Sequence, residues 1–163
     1  MHFVESNGIL YSGQFGFRIG HSTEHAILAL TQHIDKGLNA GKFTAIVALD
    51  FQKAFDRVHK TLLQNKLLEN GIDTEWFQSY LSDRNQITKL KDATSTNLST
   101  ILGVPQRSIL GPALFVIFIN DLNKVLNYCK IILFADDNYL LNTGFVEDSN
   151  EVINQINHDL AQI

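Results

Sequence analysis

Ile131-Ile132-Leu133-Phe134-Ala135-Asp136-Asp137-Asn138-Tyr139-Leu140-Leu141 decides the reading of this chain. Two adjacent acids stand between two strand-like apolar runs, which predicts a β-hairpin with Phe134 to Asp137 at its tip. A strand core tolerates neighbouring carboxylates poorly, because desolvating them without a partner is costly. A divalent cation is the obvious partner. Upstream, Phe43-Thr44-Ala45-Ile46-Val47-Ala48-Leu49 runs straight into Asp50, a second apolar strand with an acid at its end. Strands that deliver carboxylates this way meet the need of two-metal phosphoryl transfer. Magnesium prefers oxygen donors and takes only one or two protein carboxylates, leaving room for water and substrate phosphate. Taken singly, each acid has a plainer reading: Asp50 as a capping or strand-end residue, Asp136-Asp137 as a solvated turn.

The composition sets bounds. A chain of 163 residues with 45% apolar and 18% charged side chains suits one folded domain. Its 13 basic and 17 acidic residues give a formal net charge of −4, which argues against a stand-alone nucleic-acid binder, since phosphate contacts carry most of that affinity. A catalytic core gripped by other domains stays open. The single cysteine, Cys129, excludes an internal disulfide and reads as a buried thiol. No apolar run approaches the roughly 18 residues needed to span a membrane, and Met1 to Leu10 lacks the marks of a signal peptide. The expectation is an intracellular protein of nucleus or cytoplasm, neither secreted nor membrane-bound.

Along the chain, Ser22 and Thr23 cap a predicted helix running to Asn39, with Ile27, Leu30, Ile34 and Leu38 on one face. Phe43 to Asp50, apolar at nearly every position, predicts a strand buried on both faces. Gln52 to Asn70 predicts one helix, with Val58, Leu62, Leu63, Leu67 and Leu68 at helical spacing and Gly71 as its stop. Asp73 or Thr74 caps a short helix through Trp76, Phe77, Tyr80 and Leu81. Two weak strands, Gln86 to Lys91 and Asn97 to Leu102, flank a polar turn. Gly103 to Ser108 is a loop, Ile109 to Asn127 an apolar helix, and Glu147 to Ile163 an amphipathic one on Val152, Ile153, Ile156 and Leu160. Helices interleaved with a small, mostly antiparallel sheet indicate an α+β domain.

Other candidates surround the acids. Phe55 lies five residues after Asp50, where an aromatic could stand against a nucleotide sugar or simply fill core. In the loop, Ser108 is a candidate N-cap and Gln106 offers a two-sided amide. Arg18, His21, Lys53, Arg57, His59 and Lys60 either face phosphates or line solvated surface.

In this order the segments resemble reverse transcriptases of non-LTR (LINE-type) retrotransposons. The resemblance spans residues 12–160. Gln14-Phe15-Gly16-Phe17-Arg18-Ile19-Gly20-His21-Ser22-Thr23 is similar to the family's finger-region block, and Leu49 to Val58 to its first catalytic motif. Gly103 to Pro112 is similar to the second motif, Phe115 to Leu122 to the helix after it, and Phe134 to Asp137 to the aromatic-Ala-Asp-Asp signature. The resemblance implies a right-hand polymerase palm with part of the fingers. Residues 12–40 and 74–102 would be finger-like, and 43–72 and 103–163 palm-like. It implies Asp50, Asp136 and Asp137 as catalytic carboxylates holding two Mg2+ ions, with Mn2+ as a substitute, and Asp50 and Asp136 as principal ligands. The Phe51 carbonyl would lie beside the metal. Phe55 would exclude ribonucleotides, Arg18 would lie near triphosphate or template, and Gln106 would line the nucleotide pocket. The implied partners are an RNA template, a DNA primer and deoxynucleoside triphosphates.

The chain departs from the family pattern at Arg107, where Pro-Gln-Gly-Ser would place glycine, and at Asn138, where threonine is usual. Thumb and endonuclease are expected to be missing, so the isolated chain is expected to be inactive. Alternatives are a decayed, non-catalytic relic, a relic reused for RNA binding or interaction, and another metal-dependent phosphotransferase.

Overall fold

The structure, a computed structural model, describes all residues Met1–Ile163. In chain order the elements are α1 (His2–Ser6), α2 (Thr23–Asn39), β1 (Phe43–Asp50), α3 (Lys60–Glu69), α4 (Glu75–Leu81), β2 (Asn85–Gln86), β3 (Lys89–Leu90), β4 (Ala93–Thr94), β5 (Leu98–Ser99), α5 (Gly111–Phe118), β6 (Lys130–Phe134), β7 (Asp137–Gly144) and α6 (Ser149–Leu160). Helices and small antiparallel sheets make the fold α+β, as the sequence predicts. The chain divides into two compact units, Met1–Gln52 with Ile119–Ile163, and Lys53–Phe118.

The first unit is built on a three-stranded antiparallel sheet of order β1-β7-β6. The central strand β7 pairs Leu140 with Val47 of β1 and with Ile131 of β6. One face of the sheet packs on α6: Ile131, Leu133 and Leu140 meet Val152 and Ile156, with Phe43, Ala45, Val47 and Leu49 alongside. Burial of these side chains, at about 25 cal/mol per Å2 of apolar surface, is the main force holding helix to sheet. Towards the start of β6, the fully buried carboxylate of Asp159 accepts the backbone N–H groups of Asn127, Tyr128 and Cys129. Burial alone would raise that carboxyl's pKa, but the three N–H bonds and the Cys129 thiol hold it below its usual value.

The strand β1 is not buried on both faces. It is an edge strand, and Ile46, Ala48 and Asp50 are exposed while the alternate positions are half-buried. Apolar composition alone cannot tell an edge from a centre. The helix α2 keeps its predicted bounds and its Ser22 cap, with His25 returning a bond to the Ser22 backbone. Its inward face is different: Gly37 is buried, whereas Ile27 and Leu38 are exposed. Cys129 is half-buried rather than buried, and burial, followed by the Asp159 carboxylate, pushes its thiol up to about 12.

In the second unit α3 packs against both α4 and α5, with Val58, Leu63, Leu67, Leu81, Leu114 and Phe115 among its buried side chains. The predicted helix from Gln52 to Asn70 is broken. A single 3-10 turn, Ala54–Arg57, is followed by Val58 and His59 outside any helix, and α3 starts at Lys60. The cause is visible in the hydrogen bonds. The carbonyls of Phe55 and Val58 accept the N–H groups of Val104 and Gly103 instead of continuing a helical ladder. The outward positions Leu62 and Leu68 are exposed. The two predicted strands between α4 and the loop resolve into two nested pairs, β2 with β5 and β3 with β4, all exposed. The predicted helix to Asn127 stops at Phe118. In α6 the exposed Ile153 departs from the expected inward set.

Candidate active site

In the first unit the register brings the predicted carboxylates to one end of the sheet. Asp50, last residue of β1, lies opposite Asp137, first residue of β7, and Asp137 is also paired with Phe134 of β6. Asp136 sits between them in the two-residue connection Ala135-Asp136. Asp50 and Asp137 are exposed and Asp136 is half-buried. None of the three carboxylates makes an ion pair, and the Asp136 backbone carbonyl accepts Asn138 Nδ2 at 2.9 Å. Two like charges directly opposite across a sheet repel by a few tenths of a kcal/mol or more. No three acidic, histidine or cysteine side chains converge as a finished ligand cluster. The donor set nevertheless suits a hard divalent cation in kind: carboxylate oxygens only, at one end of the sheet, with no ion pair to a basic side chain.

The turn is braced from behind. Ala135 is buried and holds φ +57, a left-handed state that alanine adopts at a cost of about 1–2 kcal/mol. Gly13 to Phe15 runs beside β6: Leu133 N donates to the Gly13 carbonyl and Phe15 N to the Leu133 carbonyl, each at 2.8 Å. Gln14, fully buried, accepts Gly16 N at 2.8 Å and Ala135 N at 3.3 Å through its Oε1. A Cβ on Gly16 would stand 2.3 Å from Ala135 N, so only glycine permits this approach. Gln14 was legible in the sequence only as part of a resembling block. No periodicity marks one glutamine in a glycine-rich segment as buried.

Arg18 anchors the same segment. It pairs with Glu5 through Nε and NH2, at 3.0 and 2.6 Å, and its NH1 donates to the Tyr11 and Gln14 carbonyls. The bond from Arg18 holds the Glu5 carboxyl below its usual value. Phe51 follows directly on Asp50 at the strand end.

Phe55 and Gln106 belong to the second unit. Phe55 is half-buried and stacks on Phe115, with ring centroids 4.3 Å apart. Gln106 donates its Nε2 to Asp56 Oδ1 at 2.6 Å. The helix α5 starts at Gly111 rather than Ile109, so Ser108 stands ahead of the N-cap position; its Oγ still accepts Gly111 N and donates to the Pro105 carbonyl. Gly103 holds φ +90 against Asp56, where a Cβ would meet backbone at 3.0 Å. Arg107 is exposed at φ +57. Lys53, Lys60, Arg84 and Gln106 share a pocket of ≈ 820 Å3 with β2 and β5 residues. Burial, then the Arg84 charge, lowers the Lys60 pKa, and its Nζ donates to the Thr100 carbonyl.

Comparison with known proteins places the chain in a family. Residues 6–163 match the family described as reverse transcriptase (RNA-dependent DNA polymerase). The chain is 34% identical over 141 residues to "Probable RNA-directed DNA polymerase from transposon X-element" of Drosophila melanogaster, covering 82% of this chain and 15% of that protein. It is 39% identical over 116 residues to "Probable RNA-directed DNA polymerase from transposon BS" of the same fly, covering 70% and 13%. It is 32% identical over 135 residues to "RNA-directed DNA polymerase from mobile element jockey" of Drosophila funebris, covering 76% and 14%. The chain thus spans between 13% and 15% of these curated relatives. No helix is long and apolar enough to cross a membrane.

Proposed function

The chain belongs to the reverse transcriptase (RNA-dependent DNA polymerase) family, of the non-LTR retrotransposon kind, and from that premise we propose that it is the palm, with part of the fingers, of an RNA-directed DNA polymerase. In this reading residues 12–40 and 74–102 are finger-like and 43–72 and 103–163 palm-like. The observation that carries it is the register placing Asp50 opposite Asp137, with Asp136 in the adjoining turn.

The reaction is attack of a primer 3′-hydroxyl on the α-phosphate of a deoxynucleoside triphosphate, directed by an RNA template, with pyrophosphate leaving. Asp50, Asp136 and Asp137 would hold the two Mg2+ ions that this chemistry uses, or Mn2+ in their place, with the Phe51 carbonyl beside them. Mg2+ held there supplies Lewis-acid stabilisation of charge on the phosphoryl oxygens. Phe55, fixed by its stack on Phe115, would stand against the deoxyribose, where its ring clashes with a ribose 2′-hydroxyl. Gln106, tied to Asp56, would line the nucleotide pocket. Arg18 spends four N–H groups on Glu5 and two carbonyls, leaving one for a triphosphate or template phosphate.

A second reading, a descended but silent domain, draws on one observation. Arg107 occupies the left-handed backbone position where the family pattern has glycine. The test of both readings is primer extension on an RNA template with Mg2+, using residues 14–160 grafted into an active full-length relative. Synthesis by the graft, abolished by Asp136→Asn with Asp137→Asn, is the expected result. Synthesis only after Arg107→Gly would establish the second reading, and synthesis that survives both asparagines would overturn the first.

A further inference from the structure

We propose that Gln14 is a positioning residue for the Asp136–Asp137 carboxylates, acting through the backbone N–H of Ala135; the inference rests on the metal-binding reading above. Three observations meet at this side chain. It is fully buried, and one oxygen serves two backbone N–H groups, one on each side of the close approach between Gly16 and Ala135. It faces a residue in the left-handed state, one whose backbone would relax if unsupported. Its Nε2 is buried without a partner, and a buried polar group left unpaired in a native fold calls for an explanation such as a functional site.

The bond reaches Ala135, one residue from the first carboxylate and two from the second. Releasing it frees the dihedral angles that aim Asp136 and Asp137 while leaving the β6–β7 ladder in place. Gln14 therefore fixes where the carboxylates point, and the strand pairing fixes only that they are near Asp50. Neither Gln14 atom touches a metal ligand directly.

The test uses the full 163-residue chain as wild type, Gln14→Met and Gln14→Glu. Methionine keeps the shape and removes the acceptor; glutamate keeps an acceptor for Ala135 N. Two readouts are taken: amide hydrogen exchange at Ala135, with Leu133 N as internal control, and the rise in melting temperature on adding Mg2+. Ala135 exchange should accelerate in Gln14→Met with Leu133 unchanged, and Mg2+ affinity should fall about tenfold, the usual effect of removing a partner that orients metal ligands. Gln14→Glu should retain both Ala135 protection and the Mg2+ response. Faster Ala135 exchange with undiminished Mg2+ stabilisation would overturn the inference and leave the metal site standing. Unfolding of Gln14→Met together with loss of the Mg2+ response in a folded Gln14→Glu would also overturn it. A wild-type chain that gains nothing from Mg2+ would remove the metal reading and this inference with it.

Discussion

Ala135 and Arg107 share one backbone state, φ +57 in each, and differ in what holds them there. Ala135 is buried, its N–H is taken by Gln14, and Gly16 presses on it from the next segment. Arg107 is exposed, and the bonds around it belong to its neighbours: Gln106 to Asp56, and Ser108 to Pro105 and Gly111. A strained conformation persists where the surroundings over-determine it. The β6–β7 turn has such surroundings. The loop before α5 is held at its two ends, and the residue between them bears the strain alone.

The sharpest way to break the comparison is Gly16→Ala. Its new Cβ falls 2.3 Å from Ala135 N, against backbone that cannot swing away. The chain should lose about 3 kcal/mol, the upper range for overpacking, read as a lowered denaturant midpoint. A loss under about 0.5 kcal/mol, the ordinary effect of a surface change, would mean that the turn is not clamped. Next in size, Arg107→Gly should stabilise the chain by about 1 kcal/mol by relieving the left-handed strain, raising the melting temperature by about 2–4 °C. Arg107→Ala should not, since alanine meets the same strain. Ala135→Gly should gain less than Arg107→Gly, because the alanine methyl is buried and the turn already braced. Equal gains at the two positions would erase the distinction between them. The smallest effect is expected at Asp137→Asn. Without metal it removes a like-charge pair across from Asp50 and should stabilise by a few tenths of a kcal/mol; with Mg2+ present the order should reverse, because the wild type, with all three carboxylates, gains more binding energy.

The same contrast explains what was legible in the sequence. The hairpin could be read because it is local: apolar run, acids, apolar run, with alternation and turn fixed within 15 residues, Lys130–Gly144. The helix α2 was equally local. Features set by distant partners could not be read this way. The break at Val58 exists because Gly103 and Val104 claim carbonyls 45 or more residues away. The apolar run after Gly111 leaves its helix at Phe118, and two residues later the Asn120 amide clasps Ile9 and Tyr11. Exposure on β1 depends on which strand lies in the middle, and its own composition is silent on that. In the candidate site, the carboxylates announced themselves as charge in an apolar setting, while Gln14, a neutral amide, acquires its importance only from the strand it meets.

The central claim is that the end of the β1-β7-β6 sheet holds divalent metal through Asp50, Asp136 and Asp137. The most direct test is a Mn2+ titration of the wild-type chain followed by electron paramagnetic resonance, beside Asp50→Asn and the Asp136→Asn, Asp137→Asn pair. Saturable Mn2+ binding by the wild type, weakened in Asp50→Asn and lost in the pair, is the predicted result. Equal binding by all three proteins, or none by the wild type, would contradict it.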